Sequence, residues 1–309
     1  MRTYLGLMFV GLLLLCAVCS FLSDVFLTWP NFLNILTASA TIGLLAIGAS
    51  FIIGSGGLDL SVGSLMALSS VVAIQFSTHS PFPFLQTLCL CLVVAAVAGG
   101  VNGFLIGRKI PAFIATLGML SLARGLALIF SNGRPVYGLP DSILFLGQGR
   151  VIGIPVPVFI FLGIILFCHV LLRHTKFGRY SLMIGDNVNA ARNAGIRIQR
   201  HLIWLYAFSG MLAAVAGLLF MGRVNAADPN AGMMYELTAI TATIIGGTSL
   251  SGGKASVIGA VLGALIMSVL QNGLTLVNVP SYYQQVAVGI VLIVAVAFGQ
   301  WRGGHAATN

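Results

Sequence analysis

One Gly-rich stretch in this sequence ends in Gly-Lys: GGTSLSGGKAS, at 246–256. A phosphate-binding loop sets Gly, four residues, then Gly-Lys and a hydroxyl residue, because backbone N–H groups cradle the phosphates and the hydroxyl reaches magnesium. Gly253 and Lys254 supply the Gly-Lys, but Thr248 stands where the leading Gly belongs and Ala255 where the hydroxyl belongs. Both ends of the pattern fail, so no nucleotide site is expected here. A second Gly-rich stretch, GSGGLDLSVGS at 54–64, carries Gly56, Gly57, Asp59 and Ser61. Asp59 lies between two apolar segments, where a carboxylate is costly and is usually functional or paired. Alternatively, Asp59 or Ser61 caps a helix starting near Leu60 by accepting from the free N–H groups of its first turn. A proton relay would need further ionisable groups, and none stands nearby in the sequence.

Other polar residues give weaker signals. Arg124, in SLARGLALIF, either extends its stem to the interface, faces a polar path, or pairs with an acid such as Glu236. Asn102, Thr116, Ser121, Tyr235, Thr238, Thr241 and Asn272 lie in or beside apolar runs. Such groups either line a path for a polar solute or hold helices together. His79, His169, His174, His201 and His305 are scattered, with no paired carboxylates and no metal-ligand spacing. Cys16, Cys19, Cys89, Cys91 and Cys168 all sit in apolar runs and read as packing residues. Neither catalysis nor a metal site is expected.

The elements that must position these residues are membrane helices. The chain is 58% hydrophobic and only 7% charged, against about a quarter charged in a soluble domain. No water-soluble surface can be made from so few charges. The 38 glycines fit helices packed closely through small residues. The fold class is therefore all-α, a polytopic integral membrane protein forming one transmembrane domain over 1–309. A span needs roughly 20 mainly apolar residues. Candidates run at about 4–22, 35–53, 60–77, 84–107, 112–130, 155–172, 203–222, 236–249, 256–276 and 282–300. The first is longer than a signal-peptide core of roughly 7–15 residues and reads as an uncleaved span.

Orientation follows from the basic residues. With both termini cytoplasmic, Arg2, Arg108, Lys109, Arg173, Lys176, Arg179, Arg192, Arg197, Arg200, Lys254 and Arg302 fall inside, and only Arg134, Arg150 and Arg223 outside. This bias accounts for the net charge of +9 without nucleic acid. Two loops are long: an outer one at about 131–155 and an inner one at about 173–201. Within the inner loop, Asp186 or Asn187 can cap a helix that runs through NVNAARNAG and stops at Gly195. Either its Ala190, Ala191 and Ala194 let another protein approach closely, with Arg192 among them, or the segment is an ordinary solvated loop carrying the inside charge. The segment at 46–65 also echoes that at 239–261: an apolar helix, a Gly/Ser-rich break holding Gly252 and Gly253 in the second copy, then another apolar helix.

NAARNAG at 189–195 resembles the coupling loop of ATP-binding-cassette importer permeases, which reads Glu-Ala-Ala, three residues, then Gly. Ala190, Ala191 and Gly195 match; Asn189 replaces the Glu. GGLDLSVGS, AFIATLGML, SNGRPV, HTKFGRY, YELTAITATIIGGTSLSGGKAS and NGLTLVNVPSYYQQ are similar, in order from about residue 31, to the sugar branch of these permeases, ribose-type above all. The resemblance implies a multi-pass protein of the bacterial inner membrane that binds no cofactor itself. It implies a cytosolic ATPase subunit that binds ATP and docks at 189–195, a periplasmic sugar-binding protein, and a second permease subunit, identical or not. It implies monosaccharide import. An ion-gradient-driven transporter of a small polar solute would also account for the spans and for Asp59, but it gives no reason for the 189–195 loop.

Overall fold

A computed structural model of the protein describes residues 2–77 and 80–306, with side chains over 5–77 and 80–297. His79 lies outside the described residues, as do the side chains of Arg2, Arg302 and His305. The helices are α1 (Arg2–Leu22), α2 (Trp29–Gly54), α3 (Val62–Ser77), α4 (Pro83–Gly107), α5 (Ala112–Ser131), α6 (Asp141–Gln148), α7 (Val156–His174), α8 (Lys176–Asp186), α9 (Val188–Asn193), α10 (Ile198–Val224), α11 (Tyr235–Ile245), α12 (Val257–Leu276) and α13 (Ser281–Ala306). Strands β1 (Arg150–Val151) and β2 (Ile154–Pro155) form a two-residue hairpin before α7.

Each of the ten apolar segments becomes a helix, but the helices are not equivalent. Among the described residues, seven are long and apolar enough to cross a membrane: α1, α2, α4, α5, α7, α10 and α12. The 11 residues of α11 extend only about 16 Å at 1.5 Å per residue, roughly half of a hydrocarbon core. The 16 residues of α3 also fall short. Irregular backbone at 55–61, 225–234 and 246–256 flanks these two helices. The sequence places the eighth span at about 236–249, short and Gly-ended. The helix instead ends at Ile245, where Gly247 takes a left-handed conformation (φ 82°).

Helices α2, α3 and α10 form the centre. The apolar window of α2 is 89% buried and that of α10 78%, against 11% for α1, which lies on the periphery against α12. Lipid provides little hydrophobic drive for helix association, so close backbone approach through small residues must supply it. The α4–α10 seam shows this. Ala95, Gly99, Gly103 and Gly107 recur every fourth residue, on one face of α4. A Cβ on Gly99 would lie 2.3 Å from the Tyr206 carbonyl oxygen, and one on Gly103 2.3 Å from that of Leu202. From the other side, a Cβ on Gly210 would lie 2.2 Å from the Ala95 oxygen. Gly43 makes room in α2 for the ring of Phe161 on α7.

Polar pairs fix α2 against the C-terminal helices. Asn31 and Asn272 exchange amide hydrogen bonds of 3.0 and 2.8 Å, and Asn31 also donates to Phe26 O at 2.9 Å. Thr243 Oγ1 on α11 donates to Ala46 O of α2 at 2.9 Å. The 131–155 loop is structured rather than open. Its helix α6 packs against the end of α10, where Gln148 donates to the Gly222 carbonyl at 3.0 Å. We expect Gly103→Leu to force α4 from α10 and to destabilise the fold by at least about 1–3 kcal/mol, the usual cost of overpacking. A lower thermal unfolding midpoint in detergent would register this, and an unchanged midpoint would contradict the seam.

Candidate coupling and translocation site

The end of α2 is closed by its own backbone. Ser55, Gly56 and Gly57 donate to the carbonyls of Ile52 or Ile53 at 2.9–3.0 Å, with Gly56 at φ 79°, a conformation Gly adopts without a Cβ clash. The chain then runs irregularly to Ser61, and α3 begins at Val62, two residues later than the sequence reading placed it. Asp59 explains the delay. It is buried, 3% exposed, and its Oδ1 accepts from the Ser61 N–H at 2.9 Å and the Ser61 hydroxyl at 2.6 Å. Ser209 of α10 donates to Oδ2 at 3.4 Å. Asn102 of α4 donates to the Ser61 hydroxyl at 2.9 Å, and the Tyr206 hydroxyl to Leu58 O at 3.2 Å. A buried carboxylate is tolerable when donors surround it. Of the two sequence alternatives, the geometry favours Asp59 as the organiser of the α3 start, with Ser61 turned back to Asp59 rather than capping the helix itself. Ser209, which donates to Asp59, and Tyr206, which donates to the Leu58 carbonyl, stand three apart on α10 and gave no sequence signal beyond two polar residues in an apolar run.

A second irregular segment follows α10. Asn225 leaves the helix in a left-handed conformation (φ 57°), and Ala227 pairs with Val136 through two backbone bonds of 2.9 Å. The chain then folds back into the bundle, where a Cβ on Gly63 would lie 2.2 Å from the Gly232 carbonyl oxygen and 2.6 Å from Glu236 Oε2. Arg124 holds this segment. Its Nη1 donates to the carbonyls of Pro229 and, at 2.9 Å, Ala231, while its charge acts on Glu236. Of the three roles the sequence offers, the one with Glu236 is met as a charge interaction, while the hydrogen bonds of the guanidinium go to loop carbonyls. The guanidinium presents several donors in a fixed fork, and a non-helical loop supplies the free carbonyls. Glu236 itself is buried at the start of α11.

Other polar residues are occupied within the fold. Thr116, Thr238 and Thr241 donate to carbonyls of Ala112, Met234 and Leu237 in or just before their own helices, and Asn272 pairs with Asn31. Ser121 is exposed on α5. All five cysteines are free thiols, and among the described residues no group of His, Cys, Asp and Glu could hold a metal.

The 173–201 loop folds as two short helices. Asn187 caps α9, accepting from the N–H of Asn189 and of Ala190 at 3.0 Å each. At the other end Gly195 takes φ 80°, with Gly195 N–H to Arg192 O at 3.0 Å and Ile196 N–H to Ala191 O at 3.1 Å, a left-handed helix stop. Asn189, Ala190, Arg192 and Ala194 are exposed. Ala191 is not: at 1% exposed it packs with Ile184 and Ile196. The expectation that Ala191 belongs to an open small-residue surface is corrected. On a six-residue helix one face must point home, and periodicity over so few residues does not say which. Ser181 of α8 shares a 2.9 Å hydrogen bond with His201 of α10, anchoring α8. Lys109, Arg192, Arg197 and Arg200 line a cavity of about 650 Å³ between α9 and the adjacent ends of α4 and α10.

Removing the carboxylate at the first break should therefore act on folding. Asp59→Ala orphans buried donors, at about 1–3 kcal/mol. Asp59→Asn keeps an acceptor for Ser61 and should lose less. Thermal unfolding of both variants checks the order, and equal losses would contradict the assigned hydrogen bonds.

Comparison with known proteins places this arrangement. No solved structure matches the chain. The ribose import permease protein RbsC of Haemophilus influenzae is 38% identical over 96% of this chain and 93% of its own length. RbsC of Bacillus subtilis is 42% identical over 93% of this chain and 90% of its own. The D-allose transport system permease protein AlsC of Escherichia coli is 36% identical, covering 94% and 90%. The family described as branched-chain amino acid transport system / permease component matches residues 31–296, a stretch that takes in both breaks, Arg124, the folded-back segment and α9, and the chain belongs to that family.

Proposed function

We propose that this chain is the membrane-spanning permease subunit of an ATP-binding-cassette importer of a monosaccharide, ribose or a related sugar, in the bacterial inner membrane. The observation that carries the reading is similarity along more than nine-tenths of the chain to proteins named as ribose and allose permeases. Relatives named for L-arabinose and fructose, each 36% identical, widen the class to pentoses and hexoses. The basic end of the bundle faces the cytoplasm, in keeping with the charge bias. There α9, capped by Asn187 and stopped at Gly195, docks on a separate ATPase subunit through Ala190, Ala194 and the rim of Asn189 and Arg192. ATP is bound and hydrolysed by that subunit, and the permease needs no cofactor of its own. A periplasmic sugar-binding protein delivers substrate to the opposite end, and a second permease subunit completes the path.

Transport follows from alternating access. ATP binding draws the ATPases together, and α9 carries that movement into the bundle. Only a difference in binding between the two conformations can drive the shift. The ion-gradient alternative loses its main support, because the partners of Asp59 are hydroxyls rather than a second carboxylate or an imidazole.

The test is uptake of labelled ribose and related sugars in cells with and without the gene. Uptake should stop when ATP is depleted and persist under an uncoupler that leaves ATP intact; the reverse pattern would establish the ion-driven alternative. Ala190→Glu should leave thermal stability unchanged while lowering ATPase co-purification and uptake by at least about tenfold, as for the loss of an interface hot spot. Ala191→Glu, which buries a charge, should unfold the loop instead. Normal uptake by Ala190→Glu would remove α9 from the docking surface.

A further inference from the structure

Three separate stretches of backbone meet at Gly185, the next-to-last residue of α8. A Cβ on Gly185 would lie 2.1 Å from the Gly54 carbonyl oxygen, 2.9 Å from the Ser55 carbonyl carbon and 2.8 Å from the Gly253 nitrogen. A Cβ on Gly252 would lie 2.5 Å from the Gly185 oxygen. Both Gly-rich breaks, 54–57 and 246–253, thus touch the same residue with no side chain between them. The breaks are also tied to each other, by a hydrogen bond of 2.9 Å from the Gly253 N–H to the Gly54 carbonyl. Asp186 packs on Gly253, and the next residue, Asn187, caps α9. A single residue, Asp186, therefore separates the cap of the docking helix from Gly185, which touches the end of α2 and the loop leading to α12.

The absence of side chains has a mechanical meaning. A side chain in a contact can change rotamer and absorb a small displacement. Backbone against backbone has no such freedom, and small shifts in packed, poorly compressible regions are passed on. A displacement of the end of α8 reaches both breaks together. The sequence presents the two breaks as an echo of each other and the 173–201 loop as a separate feature; the fold joins all three at one residue. We propose that Gly185 is the positioning residue through which movement of α9 enters the membrane helices, acting on both breaks at once. The proposal rests on the reading of α9 as the surface that the ATPase drives.

The experiment uses the complete transporter, with its ATPase and sugar-binding protein, in proteoliposomes supplied with labelled ribose. In Gly185→Ala the ATPase should stay bound and hydrolyse ATP, while sugar carried per ATP falls by about tenfold or more, within the range of allosteric coupling energies. A wild-type ratio, or loss of ATPase binding, would overturn the proposal. Should Gly185→Ala fail to fold, a cross-link decides. Leu182 and Ala255 flank Gly54, a Cβ there lying 3.2 Å from Leu182 Cδ2 and 2.8 Å from Ala255 Cβ. Leu182→Cys with Ala255→Cys, lacking the native cysteines and joined by a short cleavable thiol reagent, should still transport, because the joined segments move as one. Arrest on linking, relieved by cleavage, would overturn the proposal. Failure of the importer reading would appear separately, as wild-type protein without ATP-dependent uptake.

Discussion

Inside a bilayer no water is present to satisfy a backbone N–H or C=O, so every departure from helix must be satisfied by the protein. Where helices end against the packed bundle, at 55–61, 225–234 and 246–256, each departure from helix shows how backbone groups are satisfied by the protein. At 55–57 the end of α2 closes on its own carbonyls, and Asp59 supplies an acceptor for the N–H of Ser61. At 225–234 the guanidinium of Arg124 takes up two loose carbonyls. At 246–256 the Gly253 N–H finds the Gly54 carbonyl, and the Ser256 hydroxyl accepts from the Gly259 N–H at 3.0 Å to start α12. Asp59, Ser61 and Arg124, which look costly in an apolar sequence, are residues these departures require.

The rest of the bundle is held by proximity. Along α4 and α10 small residues bring main chains together, and the same economy of side chains recurs where α8 meets the two breaks. In the first place it makes a fixed seam. In the second it joins a loop outside the spanning helices to segments within them. The difference lies in what each contact is attached to: α4 and α10 are long helices gripping each other over several turns, whereas α8 leads directly into a short exposed helix.

Much of this was legible in the sequence. Composition fixed the class, apolar runs located ten helices in order, and Asn187 and Gly195 marked both ends of α9. What the sequence hid has a physical cause in each case. The depth to which α11 reaches depends on the 225–234 segment folding inward, and nothing in VNAADPNAGMM distinguishes that from a loop staying outside. Asp59 accepts from Ser209, 150 residues away, and Asn102 reaches 41 residues back to Ser61, beyond any local pattern. Ala191 and Ala190 are the same residue type on adjacent positions, and only the surrounding Ile184 and Ile196 decide which is buried.

The ties between α2 and the C-terminal helices have a further consequence. The Asn31–Asn272 exchange holds one end of α2 to α12, the Gly253–Gly54 bond holds the other end to the loop before α12, and Thr243 grips α2 between them. Translation of α2 along its own axis relative to this group would break all three at once. The group consequently behaves as a single plate. Shear, the small sliding by which packed helices accommodate a change of state, is directed instead to the boundary between α2 and α10. There the Phe51 and Phe208 rings meet edge-on at 5.3 Å, and the bond from Ser209 to Asp59, at 3.4 Å, is the longest in its cluster.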